Sequence, residues 1–131
     1  MQILVDAPVW VDYFRGTPSP EAGALDRLLG ASPLLIGDLI LEEVLAGLPD
    51  EHHRRQAREA LLKFWRIEMG GFDLAVASAV HYHTLKARGI EVHAADCRIA
   101  TFCIARGFAL LGNRDRFAPF ERHLGLTVVR A

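Results

Sequence analysis

The sequence has little cysteine, almost no lysine, no long apolar run and no excess of charge of either sign. Each shortage excludes something. Two cysteines, Cys97 and Cys103, in a chain of 131 residues cannot staple a disulfide scaffold. Six apart on one predicted helix, they fall on different faces, too far apart for an easy bridge. That usage fits a reducing compartment, and the protein is expected to be cytoplasmic. No run of about 18 apolar residues exists, so no spanning helix is expected. The start, Met1-Gln2-Ile3-Leu4-Val5-Asp6, has no basic segment and reaches an acid too soon for a secretory signal. Fifteen Lys+Arg against 16 Asp+Glu give a formal charge of -1. That excludes a uniformly basic nucleic-acid coat, but not a nucleic-acid enzyme whose acids and arginines are kept apart. The only lysines, Lys63 and Lys86, both fall in predicted helices. A phospho-accepting receiver domain needs a lysine near a late strand, so that reading fails.

What is present is a core. The chain is 51% hydrophobic, with no linker, repeat or low-complexity tract, and reads as a single domain over 1–131. Ile3-Leu4-Val5 reads as a buried strand ending at Asp6. A helix follows over Ala7 to Phe14, with Pro8 in its first turn and Asp6 as a possible cap. A second helix is expected from Glu21 to Leu29, a second strand at Leu34–Gly37, and a third helix from Leu39 to Ala46, capped by Asp38. A fourth helix starts at Asp50. Its apolar stripe is Ala57, Ala60, Leu61, Phe64 and Trp65. A fifth helix spans Phe72 to Arg88, and Ile90-Glu91-Val92 reads as a short extended segment. Asp96 opens a sixth helix ending at Gly107, followed by a strand at Ala109-Leu110-Leu111. A short helix over Phe117 to Leu124 and a strand at Leu126 to Val129 close the chain. Strands alternating with helices predict an α/β fold with a parallel sheet covered on both faces. Trp10, Tyr13, Phe14, Phe64 and Trp65 read as core by their helical spacing, with a protein interface as the alternative.

The acids carry the functional signal. In open parallel sheets, ligands bind beyond the carboxyl ends of strands. Asp6 ends the first strand, Asp38 follows the second with Glu42 and Glu43 one turn on, and Asp115 follows the third. Asp96 opens a helix at an end expected to face the same rim. Each aspartate taken singly is a sensible helix cap. Together they need a cation, because like charges ~4 Å apart repel by roughly 4 kcal/mol at an effective dielectric of 20. A hard divalent ion, Mg²⁺ or Mn²⁺, suits an all-oxygen set. The histidines offer no competing soft site, since His52-His53 lie on a charged helix and His81 and His83 point different ways. Such a site suits phosphodiester hydrolysis, and 13 of the 15 basic residues are arginine, which grips phosphate with two parallel bonds.

Four ordered blocks resemble the PIN-domain ribonucleases, and among them the VapC toxins of toxin–antitoxin pairs. Ile3-Leu4-Val5-Asp6-Ala7-Pro8-Val9-Trp10-Val11 is similar to the family's opening, a strand ending at an acid followed by Thr/Ser-Ser-Val-Trp-Ile. Leu34 to Gly47 resembles the second block, whose acid stands four before a glycine and so selects Glu43 over Glu42. Asp96 to Ile104 resembles the third block, and Leu110-Leu111 with Phe117 to Leu126 the last. The resemblance implies a three-layer α/β/α domain with four to five parallel strands. It implies metal-dependent RNA cleavage by Asp6, Glu43 and Asp96 with a fourth acid, the metal resting on Asp6, Asp96 and Asp115. It also implies a cognate antitoxin and a homodimer.

Two departures stand out. Ala7-Pro8 replaces the two hydroxyl residues that usually follow the first acid. The family's closing block commonly reads Asp-Arg-Asp-Phe, whereas here Arg114-Asp115-Arg116-Phe117 fills that slot. The fourth acid therefore aligns with Arg114. Either Asp115 takes its role, or Asn113 faces the site, or Arg114 stands where a second ion would be. The alternative function that these changes raise is a catalytically weakened PIN domain that acts by binding antitoxin or RNA.

Overall fold

Ile3–Val5 (β1) is buried at every position, as its unbroken apolar run requires of a strand covered on both faces. It lies at the centre of a five-stranded, all-parallel sheet ordered β3-β2-β1-β4-β5. The other strands are β2 (Leu34–Gly37), β3 (Trp65–Ile67), β4 (Ala109–Leu111) and β5 (Thr127–Val128). Ile3 sits opposite Leu34 on one side and Ala109 on the other. The computed structural model describes residues 1–131.

Seven helices connect and cover the sheet. They are α1 (Ala7–Arg15), α2 (Pro20–Leu28), α3 (Asp38–Gly47), α4 (Glu51–Leu61), α5 (Phe72–Ala87), α6 (Ala94–Arg106) and α7 (Arg114–Leu124). The chain first winds outward from β1 through β2 to β3, and α1 packs on α2, α3 and α4. It then returns past β1 to β4 and β5, and α6 packs on α5 and α7. Right-handed crossovers running in opposite directions put the two helix groups on opposite faces, giving three layers, α/β/α. The reversal falls between β1 and β4, which is therefore the switch point where an open α/β sheet forms its crevice.

The expected α/β/α class and strand count are as observed, but several elements differ. The helical stripe continued through Trp65 is cut at Leu61, and Trp65–Ile67 is instead the outer strand β3, paired with Leu35–Gly37. Trp65 accordingly leaves the core and is 75% exposed. Phe64, just ahead of it, still packs 5.5 Å from the ring of buried Trp10. Ile90-Glu91-Val92 joins no strand. Helix α7 begins at Arg114, three residues earlier than expected, because the side chain of Asn113 accepts the Arg116 backbone N–H as a cap.

Candidate metal and nuclease site at the sheet switch point

Asp6 is placed by the end of β1 and the start of α1 at once. Its backbone N–H donates to the Leu111 carbonyl of β4 at 2.9 Å, so the chain enters the site still tied to the sheet. Its Oδ1 accepts the Ala7 N–H at 2.9 Å and caps α1, as expected. Pro8 has no N–H to offer, and neither Ala7 nor Pro8 carries a hydroxyl. The consequence is visible in the other oxygen, since Oδ2 is buried with no hydrogen-bond partner. Asp6 is 1% exposed. Burial pushes its carboxyl up to about 6, against the pull of the Arg116 guanidinium and with a further push from the charges of Glu43 and Asp96.

Asp96 comes from the first turn of α6. It is not the cap that its position suggested, because α6 begins two residues earlier, with His93 at the N-cap position and no side-chain cap bond. Asp96 is instead turned inward and 4% exposed. Glu43 lies on α3 and is itself exposed, yet its charge acts on both Asp6 and Arg116. Asp6, Asp96 and Glu43 are thus brought to one end of the sheet from three distant segments.

Asp38 and Asp115 are exposed, unlike Asp6 and Asp96. Asp38 opens α3, and its Oδ1 accepts the Leu39 N–H at 2.9 Å and the Met69 N–H at 2.8 Å, pinning the segment after β3. Asp115 is exposed on the first turn of α7 and forms no ion pair. There it complements the positive end of its own helix. No three acids, histidines or cysteines stand close enough together to form a ready metal cluster.

The residue that the sequence reading missed is Arg116. Its Nε donates to Asp96 Oδ2 at 3.3 Å, its Nη2 donates to Asp96 Oδ1, and its Nη1 lies 3.7 Å from Asp6 Oδ2. Arg114, the cation singled out at the departure from the family pattern, is exposed and makes no ion pair. The signal that would have found Arg116 is Asn113. Once that asparagine is taken as the cap, Arg116 is the third helical residue, and side chains there lean back toward the helix start. Gly112 completes the floor. A Cβ on it would lie 2.9 Å from the ring of fully buried Phe117 and 3.5 Å from the Asp6 Cβ, so the chain passes between them only as glycine.

A parallel sheet in this order, with carboxylates gathered at its switch point, is the architecture of a PIN domain. The PIN-domain family model matches residues 3–122, and the chain belongs to that family. Along nearly its whole length it is similar to the VapC ribonuclease Mb1587 of Mycobacterium bovis, 29% identical over 133 residues, covering 98% of this chain and 96% of the relative. Its fold matches VapBC2 from Rickettsia felis bound to a promoter DNA fragment, with a TM-score of 0.75 at 17% identity and 98% of each chain covered. It also matches a toxin–antitoxin complex from Klebsiella pneumoniae, with a TM-score of 0.70 at 23% identity, covering 97% of this chain and 95% of that one.

Proposed function

We propose that the protein is a VapC-type endoribonuclease that uses Mg²⁺ or Mn²⁺ and acts in the cytoplasm as the toxin of a toxin–antitoxin pair. The observation that carries the reading is the buried, unpartnered Oδ2 of Asp6, set at the switch point with Asp96 and Glu43 around it. An acceptor-only carboxylate oxygen taken out of water and left without a donor is costly, and a bound ion would complete it where the Arg116 guanidinium, 3.7 Å away, does not. The donor set is all oxygen, which fits a hard divalent ion. Asp6 and Asp96 would hold the ion, with Glu43 facing them from α3. Such an ion supplies an activated water and neutralises charge on the leaving oxygen.

The protein's own groups divide the remaining work. Asp6, tied through its N–H to β4 and through Oδ1 to α1, fixes the position of the acid pair. Arg114, exposed beside the site and free of any ion pair, is suited to a phosphate of the RNA. Asp115, on the same turn, serves in this reading as an outer group that orients water and does not hold the ion. The reading also carries two protein partners, a cognate antitoxin and a second copy of the chain.

The test is RNA cleavage in Mn²⁺. Asp96→Asn is expected to lower cleavage by about 100-fold or more, while Asp115→Asn lowers it by only about 10-fold. Circular dichroism should be unchanged in both. Equal cleavage by wild type and Asp96→Asn would overturn the assignment.

A second reading has its own observation. Arg116 already stands against both buried aspartates, and Ala7-Pro8 offers no hydroxyl. A domain that only binds antitoxin or RNA would leave Arg116 in place permanently. Its signature is retained antitoxin binding with no calorimetric signal from Mn²⁺.

A further inference from the structure

Arg116 is placed against the interests of its own helix. It lies in the first turn of α7, where the helix dipole is positive and a cation is disfavoured. Yet all three of its guanidinium nitrogens face the acid pair, two on Asp96 and one on Asp6. Its ring neighbour, Phe117, sits 5.4 Å below the guanidinium carbon. The hydrogen bond to Asp96, joined by the charges of Asp6 and Glu43, holds Arg116 more firmly protonated than an ordinary arginine. The side chain is nonetheless 41% exposed, so its outward path is open.

Both oxygens of Asp96 are occupied by the same guanidinium. A divalent ion needs those oxygens and repels that charge, so the two cations exclude each other. We propose that Arg116 is the site's internal counter-cation, which holds Asp96 and Asp6 in the metal-free protein and leaves them when a divalent ion binds. The inference rests on the reading of Asp6 and Asp96 as ion-holding residues. Asp6 marks the direction of the exchange. Arg116 approaches its Oδ2 only to 3.7 Å, without a hydrogen bond, and so satisfies Asp96 while leaving Asp6 incomplete. Metal affinity would therefore be set by competition within the chain, in addition to the acids themselves.

The experiment is Mn²⁺ binding to the metal-stripped protein by calorimetry, for wild type, Arg116→Met, Arg116→Lys and Asp96→Asn. It is paired with the ¹⁵N side-chain signal of Arg116 in the wild type during a Mg²⁺ titration. Arg116→Met keeps the length and removes the charge, and is expected to bind Mn²⁺ about 10-fold tighter or more. Arg116→Lys, which keeps a charge but loses the planar fork, should fall between. In the wild type the Arg116 Nε–H resonance should move with saturation of the ion. Unchanged or weaker binding by Arg116→Met, together with a stationary Nε–H resonance, would overturn the exchange and leave the metal site standing. Absence of Mn²⁺ binding in wild type and Arg116→Met alike would overturn the metal reading itself, and the exchange with it. Because the resonance is read in the unsubstituted protein, the test does not depend on any variant folding.

Discussion

Asp6 uses its two oxygens differently. Oδ1 caps α1 through the Ala7 N–H, and Oδ2 is sealed beside Arg116 without a hydrogen bond. Its folded pKa of about 6 lies above the ordinary 3.8 because burial disfavours the charge. The native state therefore keeps a proton on Asp6 over a range in which the unfolded chain has already released it. Stability from this group is full below pH ~4 and is lost as pH rises through about 6, by about 3 kcal/mol in all. In EDTA, denaturant unfolding of wild type and Asp6→Asn should give similar stabilities near pH 4. The asparagine variant should become progressively more stable than wild type toward pH 7. A difference that stays flat across this range would show that the carboxyl is not held neutral by burial. The sequence disclosed Asp6 by a strand end and Asp96 by a helix start, and the family resemblance picked out Glu43 by its offset from Gly47. It did not disclose which arginine opposes them. That depends on where α7 starts, and a one-turn change in a helix start rotates every side chain at its N-terminus.

Among the elements, those with one unambiguous signal were legible. β1, β2 and β4 are short unbroken apolar runs, buried at every position. β3 was not legible, because Phe64 and Trp65 fit the helical period of Ala57, Ala60 and Leu61, and Trp65-Arg66-Ile67 shows no burial pattern of its own. What fixes β3 is tertiary. It gains a ladder on β2 that an extra helical turn could not supply, and Asp38 clamps the following segment through the Met69 N–H. Asp38→Ala removes two acceptor contacts, one of them to a distant backbone donor. It is expected to destabilise the fold by about 1–3 kcal/mol, seen as a lower denaturant midpoint with an unchanged slope. Glu42→Ala on the exposed face of the same helix is the control and should stay within about 0.5 kcal/mol of wild type. A midpoint for Asp38→Ala equal to that of the control would show that the clamp adds nothing to the edge strand.

For the whole molecule, the sheet order decides what the near-neutral composition could not. Winding from β1 to β3 and back across to β4 creates one switch point, and the chain spends buried acids there with a single arginine against them. The same winding leaves α5 on the outside. Phe72, Val76 and Val80 stand four apart along it, 92%, 66% and 58% exposed. Three large apolar side chains in register on one helical face form a patch of the kind that marks a protein contact, unlike scattered surface hydrophobes. A two-fold pairing of such faces is self-complementary and needs no second sequence, which makes this the surface expected to carry the homodimer that we propose. Light scattering should then give twice the 14.5 kDa chain mass at micromolar concentration. Val76→Asp should give the single-chain mass with unchanged helicity, since Val76 lies at the centre of the stripe and its side chain meets mostly solvent in the lone chain. Wild type at 14.5 kDa would remove the dimer from the reading. A dimeric Val76→Asp would move the interface to another face.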